Sequence, residues 1–166
     1  MGRRIERAIS IAGLLSDTIV NPGDDPALLE AILEITESFF PYRRKYLTRF
    51  ENRAVADLLL AQASNPRSVA FQLAAIAQHL AALPRDPSHP DAGRDQELLV
   101  ELRTSIQTAN LAELCEVLPD QPHEGLSAFL SEILSQTEQL SDAIARLYFS
   151  HATVSRALVQ DLESNS

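Results

Sequence analysis

The sequence has no tryptophan, one cysteine and five glycines in 166 residues. Each shortage excludes something. A lone Cys115 cannot close an intramolecular disulfide, and it excludes any zinc site built on cysteines. Few glycines and few valines point to helices and away from sheets. No apolar run approaches the ~20 residues that span a bilayer. The N-terminus MGRRIERAIS is charged and lacks the apolar stretch of a signal peptide. Glu6 stands where N-myristoylation wants serine or threonine. The expectation is a soluble, cytoplasmic chain without a membrane. His79, His89, His123 and His151 share no metal-ligand spacing, so no metal is expected. No phosphate loop, dinucleotide fingerprint or GxSxG occurs, and no cofactor is expected.

What the sequence has is leucine, alanine and uneven charge. Hydrophobic residues make up 45%, enough for a packed core. A chain this long buries roughly 70% of its unfolded surface without staples. Formal net charge is −9. Residues 1–85 carry ten basic and nine acidic residues; residues 86–166 carry four and fourteen. The acidic half is a solvated surface, or it faces the basic half or a partner.

Apolar spacing predicts an all-α fold: a helical bundle of about six helices, mostly antiparallel, in a single domain over 1–166. Helix one spans about 3–19, with Ile5, Ala8, Ile9, Ala12, Leu15 and Ile19 on one face and Ile11 and Leu14 off it. The second runs 26–40, capped by Asp25 with Pro26 at its first position, until Pro41 interrupts it. A short third helix spans 52–62. Asn65, as its cap, and Pro66, where a missing N–H costs nothing, signal the start of a fourth, which ends at Pro84. Residues 84–94 form a proline-rich linker. A helical hairpin then covers 95–161, with helices at 95–118 and from Leu126 onward and a turn at 119–123. Leu126, Leu130, Ile133, Thr137, Leu140, Ile144 and Leu147 alternate steps of four and three, the seam of an antiparallel bundle.

Two polar constellations stand out. In GRRIERA (2–8), Arg3, Glu6 and Arg7 lie toward one side of helix one. They form a surface salt bridge, or a buried ion pair that fixes packing or lines a cleft. In PYRRKYLTRF (41–50), Arg43, Arg44, Lys45 and Arg49 crowd together among aromatics, with Arg53 and Arg67 close in sequence. Such cations repel unless neutralised. The anions come from Glu30, Glu34, Glu37 and the acidic half, from a phosphate or carboxylate ligand suited to arginine forks, or from a partner protein. Nucleic acid is not expected, because the rest of the chain repels a phosphate backbone. Cys115, among leucines, reads as a small buried residue. No nucleophile or base has a convincing partner, which leans against an enzyme.

GRRIERA, YRRKYL, NPRSVAFQL, HLAALP and LYFSH, in this order, resemble the bacterial alpha-E family, helical proteins named for a Glu-Arg motif. Glu6 and Arg7 match the namesake pair. Arg43, Arg44, Asn65, Pro66, Arg67 and Gln72 match other signatures. The resemblance covers nearly the whole chain but only the second half of a typical member. It therefore implies a parent protein, with an N-terminal alpha-E half outside this chain. The family is associated with circularly permuted ATP-grasp ligases and transglutaminase-like proteins. This implies an accessory or interaction module of a peptide-modifying system, with a ligase-type protein or fused domain as partner. The alternative is a ligand-binding or enzymatic domain holding an anionic substrate. On either reading Arg3, Arg7, Arg43, Arg44 and Arg67 face the anion or partner. Glu6 is an internal counter-ion, Asn65 and Gln72 are structural, and Tyr42, Tyr46 and Leu47 anchor the basic segment to the core. Self-association stays open.

Overall fold

Alternating helix signals and proline breaks fold into a chain of helices. The computed structural model describes residues 1–20, 24–47, 49–84, 87–116 and 124–149. Every regular element among them is helical: α1 (Gly2–Thr18), α2 (Pro26–Ile35), α3 (Phe39–Tyr46), α4 (Asn52–Ala56) running into a π-helical turn (Asp57–Ala61), α5 (Val69–Ala81), α6 (Arg94–Thr108), α7 (Leu111–Leu114) and α8 (Glu124–Phe149). The expected turn at 119–123 and the continuation over 152–161 lie outside the described residues.

Four long helices form a closed ring. α1 packs on α5 and α8, and α6 packs on the same two. On α1, Ile5, Ala8, Ala12 and Leu15 are buried, as is Ile19 just past its end, and so is Ile11 from the flanking stripe. Burial on more than one side follows, because α1 has two long neighbours. On α8 the four-three seam is buried from Leu126 to Ile144. Each leucine fully buried there contributes roughly 1.5–3 kcal/mol. Thr137 sits in the seam because its hydroxyl donates to the Ile133 carbonyl at 2.6 Å, so no polar group is left bare. The start of α5 meets the end of α6, where Ala70, Leu73 and Ala74 face Arg103, Ile106 and Gln107.

The short helices α2, α3 and α4 pack on one another beside this ring, and here the expected boundaries shift. Asp25 caps α2 as its sequence suggests, its carboxylate accepting from the backbone of Ala27 and Leu28. But α2 ends at Ile35, well before Pro41. A left-handed residue, Glu37, terminates it. Pro41 lies instead within the first turn of α3, where a missing N–H costs nothing. The helix expected over 95–118 is broken at Ala109–Asn110, and the Asn110 side chain caps the short α7.

After α4 the Gln62 N–H reaches the Asp57 carbonyl at 3.0 Å, five residues back. This wider turn buries three successive leucines, Leu58, Leu59 and Leu60. It also carries Asp57 and Gln62 toward α3.

Candidate anion- and partner-binding surface

The basic segment is mostly α3. Tyr42 is fully buried. Its hydroxyl donates to the Arg49 carbonyl at 2.8 Å and accepts from the Glu51 N–H at 3.3 Å, closing the loop after α3. Its ring packs on Tyr46 and Phe50. Leu47, expected as an anchor, is 85% exposed. It occupies a left-handed position at the helix end, which turns its side chain out of the core.

The cations of this segment separate. Arg43 lies over Phe50 at 4.5 Å and Phe39 at 5.4 Å, contacts worth ~0.5–1 kcal/mol at an exposed site. Lys45 reaches Asp57 Oδ2 at 2.7 Å and Gln62 Oε1 at 2.6 Å. The Tyr46 hydroxyl donates to the same Asp57 oxygen. Burial, then the hydrogen bond and charge of Asp57, push the Tyr46 phenol well above its usual range. Lys45 and Gln62 also help line an open groove of about 670 Å³, together with Arg44, Phe40, Pro41, Asn65 and Pro66. Arg44 has no ion pair among the described residues. Arg43 and Arg44 therefore present two different settings, not one clamp.

The loop before α5 is held from inside. Asn65 is buried. It donates to the Leu58 carbonyl at 3.1 Å and the Ser38 hydroxyl at 3.3 Å, and accepts from the Arg67 N–H at 3.1 Å. It is not the cap of α5. That role falls to Ser68, whose hydroxyl accepts from Phe71 N–H at 3.1 Å, so the helix starts at Val69. Gln72, fully buried, donates to the Pro66 carbonyl at 2.6 Å. Its oxygen accepts from Arg4 at 3.2 Å. Arg4 also lies over the Phe71 ring at 5.7 Å.

Arg4 was not a candidate from sequence. The signal was available: it lies on the stripe of Ala8, Ile11 and Leu15, all buried, and a charge on such a stripe needs a partner. Arg3, Glu6 and Arg7 are exposed instead. Glu6 has no ion pair among the described residues, so the internal counter-ion role is corrected. Its position points away from the face that carries Ile5, Ala8 and Ala12.

Glu37, not Glu6, is the counter-ion of Arg67. It ends α2 in a Schellman arrangement: Ser38 N–H reaches the Leu33 carbonyl at 2.7 Å, and Glu37 N–H reaches that of Glu34 at 2.9 Å. Its φ is 51°. Glycine is the residue that fits there, and any side chain costs about 1 kcal/mol. The exposed ion pair returns ~0–1 kcal/mol, so glutamate has no clear stability advantage at this position. Arg7, Arg67 and Glu37 rim a second groove of about 390 Å³, over Ile11, Leu14 and Ile35.

Cys115 is half-buried. Burial pushes its thiol up to about 11, with Arg53 opposing and Asp24 adding. Among the described residues no group of three or more His, Cys, Asp or Glu is placed to hold a metal ion. No helix among them is long and apolar enough to cross a membrane.

No solved structure matches the chain. Uncharacterized proteins of Mycobacterium bovis and Mycobacterium tuberculosis are 34% identical to it over 138 residues, which is 81% of this chain and 15% of theirs. The chain thus spans a small fraction of the curated relatives it matches. Residues 1–149 match the Alpha-E family, described as a predicted alpha-helical domain with a conserved ER motif. Glu6-Arg7 is the one Glu-Arg pair in the sequence, and the helical ring agrees with that description. The chain belongs to the Alpha-E family.

Proposed function

We propose that the chain is a non-catalytic helical module of a bacterial ATP-grasp or transglutaminase-type peptide-modifying system. It docks on a ligase-type partner, or on a ligase domain of the same polypeptide, through the groove between α3 and the Asn65–Arg67 loop. One observation carries this reading. Phe40 is 82% exposed, and it lines that groove beside Pro41 and Arg44. An open aromatic next to a guanidinium that has no ion pair among the described residues is the composition of an interface anchor. The groove is backed by the buried Asn65 network, so it is presented rigidly. The great length of the mycobacterial relatives supports a module that works beside other domains. The test is calorimetric titration of the chain with the ATP-grasp-type ligase of the source organism. Saturable binding that a Phe40→Ser/Arg44→Glu variant loses supports the docking surface. No binding of either protein removes it.

A second reading rests on Arg44 alone. Its charge over the same groove, without an ion pair among the described residues, suits an anionic ligand or substrate. Salt-sensitive stabilisation by ATP, phosphate or acidic peptides, lost in Arg44→Gln, would favour it. No thermal shift across that panel would count against it.

A further inference from the structure

The second groove has a different construction. The Ser10 hydroxyl donates to the Glu6 carbonyl and the Thr36 hydroxyl to the Ile32 carbonyl, both at 2.8 Å. Both hydroxyls are thereby used inside their own helices, which leaves an effectively apolar floor of Ile11, Leu14 and Ile35. Ile35 is 72% exposed. Charge sits only at the rim. Arg7 is exposed and has no ion pair among the described residues, and Arg67 shares its charge with Glu37.

Two guanidiniums and one carboxylate around an apolar floor select among ligands. A dianion such as phosphate meets the repulsion of Glu37 and gains nothing from the floor. A hydrocarbon chain gains nothing from the rim. A small zwitterion with an aliphatic side chain uses every element. Its carboxylate suits the arginine forks of Arg7 and Arg67, its ammonium suits Glu37, and its side chain covers the isoleucines and leucine. The volume is at the small end of ligand sites, in keeping with one amino acid and not with a folded surface. The backbone gives an independent reason. Glu37 holds a left-handed position that glycine would fill with less strain, so its side chain is not there for the turn.

The geometry points to a binding site for a free aliphatic amino acid, of the leucine type, between α1 and the turn joining α2 to α3. Glu37 receives the ammonium, and Arg7 and Arg67 receive the carboxylate. Occupation replaces part of the Glu37–Arg67 pair with contacts to the ligand, so binding is modest and weakens with salt.

The test is an amide-resolved NMR titration of the whole chain with leucine, N-acetylleucine, leucinamide, a leucine-terminated peptide and inorganic phosphate. Leucine should shift the amides of Arg7–Leu14 and Ile35–Ser38 saturably. N-acetylleucine and leucinamide should each bind about tenfold more weakly, the loss of one charge-assisted contact. A peptide that binds as well as leucine would overturn the free amino acid as ligand. The decisive variant is Glu37→Gly, which suits the left-handed backbone. It should melt at or above the wild-type temperature and lose the preference for leucine over N-acetylleucine. Equal binding of all ligands, shifts reproduced by phosphate, an unchanged preference in Glu37→Gly, or no shift at millimolar leucine would each overturn the site. Phe40 and Arg44 line the other groove, so these outcomes do not bear on docking there.

Discussion

Arg4 donates to the buried Gln72 oxygen at 3.2 Å, and this bond joins the first turn of α1 to the first turn of α5. Gln72 passes the connection on to the Pro66 carbonyl. The Asn65–Arg67 loop is thus fixed to two helices of the ring.

Neighbouring arginines should therefore differ sharply. Gln72→Leu leaves the Pro66 carbonyl and the Arg4 guanidinium without their partner and should cost about 2 kcal/mol. Arg4→Ala should cost ~1–2 kcal/mol from the lost bond and ring contact. Arg3→Ala, on the exposed side, should stay within about 0.5 kcal/mol. Urea unfolding of the three variants measures this. Equal effects at positions 3 and 4 would contradict the placement of Arg4.

The loop itself separates a cap from a pin. Ser68→Ala removes the helix-capping bond and the bond its hydroxyl donates to the Gln62 carbonyl at 2.7 Å, and should cost about 1–2 kcal/mol. Asn65→Ala takes a donor from the Leu58 carbonyl and the Ser38 hydroxyl and an acceptor from the Arg67 N–H in a buried setting, and should cost ~2–3 kcal/mol. Thermal melts that rank Ser68 above Asn65 would contradict Asn65 as the pin of the loop.

These residues show where the sequence was legible. The seam from Leu126 to Ile144 has period and length, so its helix and buried face follow directly. The α2 end does not. Thr36, Glu37 and Ser38 give no glycine at the left-handed position, so the usual stop signal is missing and Pro41 attracts the boundary instead. The break at Ala109–Asn110 hides for a similar reason. Leucines on both sides continue the apolar pattern, and the chain leaves the helix so that Asn110 can cap α7. Pairing within the basic segment depended on contacts distant in sequence. Nothing in YRRKYL says that Lys45 meets Asp57 in the π-helical turn while Arg44, lining the same groove, has no ion pair among the described residues. The expected carboxylates were Glu30, Glu34, Glu37 and the acidic half. Of these, Glu37 forms the pair, with Arg67.

Alkaline pH should weaken the fold through two groups. Burial raises the Cys115 thiol to about 11 from 9.0, and burial with Asp57 raises the Tyr46 phenol above its usual 10.0. In both cases the folded state holds the proton more tightly than the unfolded chain. Their contribution is fully present below the unfolded values and is lost as pH rises through about 9 and 10 toward the folded ones. Urea midpoints should thus fall from about pH 9 upward. Asp57→Asn should flatten the part due to Tyr46, because it removes the charge that opposes the phenolate. Alkylation of Cys115 at neutral pH should be slow in the native protein and quicken on unfolding. A midpoint unchanged between neutral pH and about pH 11 would contradict both shifts.

Phe40 allows docking to be separated from folding. Its ring is largely in water and meets Phe39 edge-on at 5.8 Å, so Phe40→Ser removes little buried area and should change stability by less than about 1 kcal/mol. Arg44→Glu should be equally mild, since no ion pair among the described residues is lost. If the groove is an interface, each change should weaken partner binding by about 2 kcal/mol or more, the loss expected of an aromatic or arginine anchor. Arg43→Gln supplies the contrast. Its guanidinium stacks on Phe39 and Phe50, so it should lower stability by ~0.5–1 kcal/mol and leave binding nearly unchanged. Titration of the partner ligase with the three variants, each checked by circular dichroism, tells the outcomes apart. Strong loss with Arg43→Gln and none with Phe40→Ser would move the interface from the groove to the aromatic face of α3.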